Sequence, residues 1–269
     1  MPNGMQRSEE HLRSDLVEFG QRIHQQGLVS ACDGNLSVRL DDDRVMATPS
    51  GVSKGMMRPE QMSIVDLDGR RLAGECPVSS EIQMHLTIYR ERPDVHAVVH
   101  AHPPTATGFA SAGMALDQPV CSEIVISLGA VPLAEYGTTG TPALSESLMP
   151  WVHEYDAILL ANHGAVSYGH DLLSAYLKME AVEHFAQIML VTKQLGHQEL
   201  LTDEEIAKLI EARAKYEGNK SLARRPAGPL SKLIPKITGM RAMGFFLAIT
   251  LPILLDLSDG VLDGRIRIA

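Results

Sequence analysis

Val95-His96-Ala97-Val98-Val99-His100-Ala101-His102-Pro103-Pro104 is the stretch on which the fold turns. Val95, Ala97, Val98 and Val99 are β-branched or small and follow the turn residues Arg92-Pro93-Asp94, which predicts a buried strand rather than a helix. Side chains at i and i+2 of a strand leave the same face, so His100 and His102 point the same way from its end. Two imidazoles on one rigid face suit a divalent metal such as zinc. The paired prolines stop the strand from continuing as a central ladder member. A lone H-x-H is about as often packing as ligation, so the other segments of the chain have to decide between the two.

Before this strand, residues 77–90 predict a helix opening on Pro77-Val78-Ser79-Ser80-Glu81, with Ile82, His85, Leu86 and Tyr89 on its apolar face. Ser80 with Gln83 fits a capping box. Equally, the hydroxyls of Ser79 and Ser80 at a helix N-terminus suit a phosphate, with Glu81 aimed into the site. His85 and His96 read as ordinary core or surface histidines. Further upstream, Leu12, Leu16, Phe19 and Ile23 predict an amphipathic helix over 7–26, stopped at Gly27. Residues 33–40 and 44–48 predict a hairpin across Asp41-Asp42-Asp43, a triplet without the glycine and distal glutamate of a calcium loop. Thr48-Pro49-Ser50-Gly51 then lets backbone N–H groups approach an anion, although it also serves as an ordinary turn. Residues 62–66 and the turn Leu67-Asp68-Gly69-Arg70 add a further strand.

After the histidine strand, a short helix over 105–110 and short strands at Ile124-Val125-Ile126 and Val131-Pro132-Leu133 are expected. Residues 136–142 form a turn-rich loop, the kind of segment that carries function on a rigid scaffold. A helix over 143–153 leads to a buried strand, 156–161, which exits into Asn162-His163-Gly164. His163 thus occupies the same kind of position as His102, and 165–168 return beside it. A long amphipathic helix over 171–195 starts at Asp171. A shorter one over 202–216 has Thr202 as N-cap and Glu205 at the capping-box position. His184 and His197 read as surface residues.

The chain has 269 residues, 45% hydrophobic and 21% charged, enough for one substantial domain with an appendage. Its net charge of −9 argues against general nucleic-acid or anionic-membrane binding but is compatible with a small phosphate pocket. Cys32, Cys76 and Cys121 make no C-x-x-C pair and no even set, and no signal-peptide pattern opens the sequence, so a reduced, cytoplasmic setting is expected. Composition shifts at 217–236, rich in Gly, Pro, Ser and basic residues, towards the apolar run 242–255. That run is shorter than the ~20 residues that span a bilayer, so no membrane span is expected. The organisation these features suggest is a catalytic domain over 1–216 and a basic linker with an apolar tail over 217–269.

Strand exits and a helix start therefore present Glu81, His100, His102 and His163, a set that satisfies a tetrahedral zinc site or leaves one position open when the carboxylate moves. A cupin would need a glutamate shortly after H-x-H, and a barrel amidohydrolase would carry H-x-H near its N-terminus. The chain instead resembles the class II aldolase/adducin-head superfamily, in the pattern of fuculose-1-phosphate-type aldolases. The resemblance covers about residues 6–216 and rests on Gly34-Asn35-Leu36-Ser37, Thr48-Pro49-Ser50-Gly51, Ser79-Ser80-Glu81, Val99-His100-Ala101-His102-Pro103 and Asn162-His163-Gly164, in that order.

The resemblance implies a three-layer α/β/α domain around a mixed, mostly antiparallel sheet, in a cyclic homotetramer with sites between subunits. It implies that His100, His102 and His163 hold Zn2+, or another divalent ion such as Mn2+ or Co2+, and that Glu81 is a resting ligand and then the general base. Asn35, Ser50, Gly51, Ser79 and Ser80 would cradle the phosphate of a ketose 1-phosphate, of the fuculose or the 5-deoxy- or 5-methylthioribulose kind. Cleavage would give dihydroxyacetone phosphate and an aldehyde. These aldolases protonate the aldehyde-side oxygen with a tyrosine, and here that position falls on Cys121. Either Tyr136 substitutes for it or the aldehyde portion of the substrate differs, and Tyr216 aligns with a second, lid-like tyrosine. A sugar-phosphate 4-epimerase, a dehydratase, a decarboxylase and a non-catalytic adducin-like interaction domain are the rival readings.

Overall fold

The computed structural model describes residues 8–216, with side chains to residue 211; the linker and the apolar run lie outside the described residues. Its strands are β1 (Asn35–Arg39), β2 (Arg44–Ala47), β3 (Ser63–Asp66), β4 (Arg71–Ala73), β5 (Ala97–Ala101), β6 (Leu133–Ala134), β7 (Ala157–Leu160) and β8 (Gly164–Gly169). They form one sheet in the order β4-β3-β2-β1-β5-β8-β7-β6, antiparallel except for the parallel pair β6 and β7. The helices are α1 (Glu9–Gln25), α2 (Ile82–Glu91), α3 (Pro104–Ser111), α4 (Ser122–Ser127), α5 (Pro142–Glu146), α6 (Leu172–Gln194) and α7 (Asp203–Tyr216).

Both faces of the sheet are covered, which makes this the expected three-layer α/β/α fold. Leu36, Val38, Ala97, Val99, Ala101 and Ala165 join one core with residues of α1, α3 and α6. Val45, Val65, Val98, Val166 and Tyr168 join a second core with α2 and α5. Burial on both faces explains why β5 reads as a continuous apolar run although its partners are antiparallel. Strand alternation then places His100 with Val98, and Asn35 and Ser37 opposite in face to Leu36 and Val38. All three polar side chains thus meet the layer of α2.

Two expected strands and one expected helix differ. Ile124, Val125 and Ile126 lie in α4, because Ile124 and Val125 bury as a short helix against the core while Leu133 and Ala134 take the sheet edge. Val131 makes only an isolated bridge with Leu116. The helix expected over 143–153 ends at Glu146 and continues as turns, since Pro150 supplies no N–H. The Ser80–Gln83 capping box is not formed: Glu81 is the N-cap of α2, and Gln83 donates to the Asp68 carbonyl at 3.2 Å. By contrast, Asp171 caps α6 and Thr202 pairs with Glu205 as expected. The apolar surface of α6 wraps beyond one stripe, leaving Leu173, Leu177, Leu190 and Val191 exposed. No helix among the described residues is long and apolar enough to cross a membrane.

Arg92, at the end of α2, is buried and clamps this layer to the start of β7. Its guanidinium donates to both oxygens of Asp94 at 2.9 and 2.8 Å, to Asp156 at 2.9 Å and to the Val152 carbonyl at 3.1 Å. Lys178 shares Asp156 at 2.8 Å. Replacing Arg92 with methionine should destabilise the fold by about 2 kcal/mol, because it removes a buried donor bonded to charged groups; urea unfolding followed by circular dichroism measures it.

Candidate active site

β5 ends beside β1 and β8, with His100 opposite Asn35 on one side and Val166 on the other. The hairpin from β7 to β8 turns through Asn162, at φ +57°, and delivers His163 to the same place. The rings of His100, His102 and His163 form a near-equilateral triangle, with centroids 4.7, 4.9 and 5.0 Å apart. Nε2 of His100 lies 3.1 Å from Nε2 of His102. Glu81, the N-cap of α2, places Oε2 3.3 Å from His100 Nε2 and Oε1 2.9 Å from His163 Nε2.

These separations suit a metal. Four atoms about 2.05 Å from an ion at tetrahedral angles stand about 3.3 Å apart. The ligating atoms of the three histidines all lie within 4.8 Å of one another. Nδ1 of His100 meets the Ala165 carbonyl at 2.9 Å, so that nitrogen carries the proton and Nε2 keeps its lone pair free for the cluster. Burial, with His100 and His163 adding to it, pushes His102 down to about 4, which keeps it neutral, as a ligand must be. Burial disfavours ionised Glu81, but its contacts with His100 and His163 outweigh it and hold the carboxyl well below the usual range.

Of the expected phosphate residues, Asn35 and Ser79 join the cluster. Asn35 Nδ2 donates to Ser79 Oγ at 3.1 Å and to Glu81 Oε2 at 2.9 Å, and its Oδ1 is buried without a partner among the described residues. Ser50 N donates to the Pro77 carbonyl at 2.8 Å, and Pro49 bridges Val78, which brings Ser50 and Gly51 beside Ser79. Gly51 has φ +69° with open space around it, so its conformation, not crowding, requires glycine. Ser80 is exposed and faces Gly140 of the loop after β6. Tyr136, on that loop, is 62% exposed, and among the described residues no hydrogen bond or ring contact joins it to the cluster. Cys121 is half-buried at the start of α4, packed against the core. Tyr216 ends α7, and its side chain lies outside the described set.

The supporting roles of three residues escape a reading of the sequence. Glu183, buried in α6, accepts the N–H groups of Thr105 and Ala106 at 3.0–3.2 Å, capping α3 from outside and pinning the segment that follows His102. Lys54, 1% exposed, donates to the carbonyls of Cys32 and Val52, tying the loop before β1 to the turn after Gly51; burial lowers its pKa. His85 is likewise buried, on the strand-facing side of α2. The signal for each was a polar residue among apolar neighbours, which sequence alone does not distinguish from a surface position.

A mixed sheet in three layers, with three imidazoles and a carboxylate at the end of its central strand, defines a class II aldolase-type domain. Residues 14–190 match the model of the Class II Aldolase and Adducin N-terminal domain, and the chain belongs to that family. It is 35% identical over 208 residues to a 5-deoxy-D-ribulose 1-phosphate aldolase of Bacillus thuringiensis, covering 77% of this chain and 95% of that one. It is 36% identical over 209 residues to a 3-oxo-tetronate 4-phosphate decarboxylase of Pectobacterium atrosepticum, covering 75% and 94%. A solved L-fuculose 1-phosphate aldolase superposes with a TM-score of 0.71 at 31% identity, covering 78% of this chain and 99% of that chain.

Gly164 offers a direct test of how tightly the cluster is built. A Cβ there would lie 2.5 Å from the Ala101 carbonyl oxygen and 2.6 Å from the His102 ring. Gly164→Ala should cost about 2 kcal/mol through overpacking and weaken zinc binding by about tenfold or more, read by denaturant unfolding and by titration against a zinc indicator. Glu183→Ala should cost about 2 kcal/mol, since it strands buried N–H groups, with a matching fall in melting temperature.

Proposed function

We propose that this chain is a metal-dependent lyase that cleaves a small ketose 1-phosphate to dihydroxyacetone phosphate and an aldehyde, with 5-deoxy- or 5-methylthioribulose 1-phosphate or a fuculose-type sugar phosphate as substrate. The observation that carries this reading is the convergence of Glu81, His100, His102 and His163, joined through Asn35 to Ser79. A divalent ion held by the three histidines, zinc in the first instance, would act as a Lewis acid towards charge developing on the substrate oxygens, a contribution of several kcal/mol.

The chain's own groups do the rest. Asn35, Ser50, Gly51, Ser79 and Ser80 hold the phosphate and so orient the reacting end without entering the chemistry. Glu81 gives up its bonds to His100 and His163 as substrate oxygens take their place. Its carboxylate then moves the proton at the hydroxymethyl carbon of the enediolate fragment. Tyr136 is the proposed acid–base group at the aldehyde-side oxygen, taking its proton on cleavage and returning it on condensation, and Tyr216 a lid over the site. The reading includes a cytoplasmic homotetramer with sites between subunits.

A second reading is favoured by Cys121 and by the decarboxylases among the relatives. Loss of CO2 from a 3-oxo acid phosphate leaves its electron pair on the same carbon and ends at the same enediolate. It does so without an aldehyde-side oxygen to protonate, and so without need of the tyrosine that Cys121 replaces.

The test is product analysis with zinc-loaded protein. Dihydroxyacetone phosphate plus an aldehyde from one or more of the ketose 1-phosphates supports the aldolase. Dihydroxyacetone phosphate plus CO2 from 3-oxo-tetronate 4-phosphate alone assigns the decarboxylase, and neither product overturns both. Glu81→Gln should lower kcat by roughly 10²- to 10⁴-fold, the range of a lost general base.

A further inference from the structure

Behind the histidine cluster runs a buried polar chain that the proposed chemistry does not use. Tyr89, Ser37 and His85 are all 1% exposed or less. Ser37 Oγ lies 2.8 Å from the Tyr89 hydroxyl and 2.7 Å from His85 Nδ1. The second ring nitrogen, Nε2 of His85, is buried with no partner among the described residues. Burial is the largest influence on this imidazole, His100 adds to it and Glu81 opposes it, and together they push it down to about 3. His85 is therefore neutral, with one N–H and one lone pair to place.

The proton inventory leaves one arrangement. Among the described residues, Ser37 Oγ is the hydrogen-bond partner of the Tyr89 hydroxyl. The phenol hydrogen then has Ser37 Oγ as its acceptor. Ser37 in turn donates its own hydrogen to His85 Nδ1. The imidazole proton must therefore sit on Nε2. The opposite polarity would leave both the phenol hydrogen and the Nε2 lone pair unsatisfied, two buried orphans instead of one. What remains is a buried N–H donor with no acceptor among the described residues, which an acceptor arriving during function would satisfy. His85 stands four residues after Glu81 at the start of α2, on the same helical face. The titratable groups that act on it are His100 and Glu81.

We infer that His85 is a positioning residue whose Nε2–H receives the Glu81 carboxylate when that carboxylate leaves His100 and His163. The inference rests on Glu81 serving as the base, as proposed above. In the arrangement seen here Asn35 donates to Glu81 Oε2, and the two carboxylate oxygens lie 3.3 and 2.9 Å from Nε2 of His100 and of His163. Displaced from the two histidines, it would be a buried carboxylate short of donors, and a hydrogen bond to a charged group is among the stronger ones available. The Tyr89–Ser37 chain fixes the tautomer in advance, so the donor waits in place. Atoms balance trivially, since the step is a change of hydrogen-bond partner and no covalent bond forms or breaks.

The test uses two amides that imitate different halves of the imidazole. His85→Asn keeps an acceptor for Ser37 at the Nδ1 position and removes the Nε2 donor. His85→Gln places an amide N–H where Nε2 stood. In zinc-loaded full-length protein, exchange of the hydroxymethyl protons of dihydroxyacetone phosphate with D2O, followed by NMR, reports the base directly. His85→Asn should slow the maximal exchange rate by roughly 10- to 100-fold, the worth of a hydrogen bond to a charged group. The KM for dihydroxyacetone phosphate and the bound zinc should remain within about twofold, and His85→Gln should recover most of the rate. Ser37→Ala, which removes the tautomer lock while leaving the imidazole, should slow exchange as well and serves as the variant of record if His85→Asn does not fold. Exchange by His85→Asn at the wild-type rate, or equal loss in His85→Asn and His85→Gln, would overturn the role of His85 alone. No exchange by the zinc-loaded wild type would overturn Glu81 as base, and this inference with it.

Discussion

Three imidazole nitrogens and a carboxylate, each about 3 Å from the next, are not a stable arrangement on their own account. Their lone pairs face one another in a space that excludes most water, and only a rigid frame or a cation between them makes this tolerable. The frame is the pairing of β1, β5 and β8. Asn35, His100 and Val166 lie abreast in neighbouring strands, so a slip of one residue in either register would carry His100 to the other face of the sheet. The burial of β5 on both faces forbids that slip, because it would exchange Val98 and His100 for Val99 and Ala101 in two closely packed cores.

Around this frame each of the four side chains is held in place by its neighbours. The Ala165 carbonyl holds the ring of His100. His102 is bounded by Gly164, whose lack of a side chain leaves room for its ring, and is followed by a segment anchored on Glu183. His163 depends on a left-handed Asn162 in a turn of three residues between buried strands. Glu81 is fixed by Asn35 and by its place at the start of α2, whose far end Arg92 clamps to the approach to β7. The helix that carries the carboxylate and the strand that leads to His163 are thereby locked to each other at the end remote from the site.

Much of this was legible from spacing. H-x-H at the end of an apolar strand, N-H-G at the exit of another, and a serine-rich helix start before Glu81 were each readable because strand and helix periods say which residues share a face. The failures have physical causes. Ile124-Val125-Ile126 has strand-like residues, but propensity yields to packing where the edge is already taken, and the segment coils into α4. Ser80 looked like a cap, yet Ser79 receives the Glu81 N–H at 3.2 Å and the helix begins one residue later. Lys54, Glu183 and Arg92 were invisible as structural residues because their partners are mostly backbone atoms or side chains distant in sequence. Sequence periodicity carries no trace of such contacts.

The frame also settles protonation before any ligand arrives. His100 cannot carry its proton on Nε2 without losing the Ala165 carbonyl, and His85 cannot carry its proton on Nδ1 without stranding the Tyr89 phenol. Two tautomers, one facing the cluster with a lone pair and one behind it with an N–H, are thus written by backbone and buried hydroxyl groups. In water each would be divided between alternatives, and choosing one would cost free energy at the moment of binding. Folding has met that cost already, since the same hydrogen bonds that close the sheet and seat α2 upon it leave each imidazole a single arrangement.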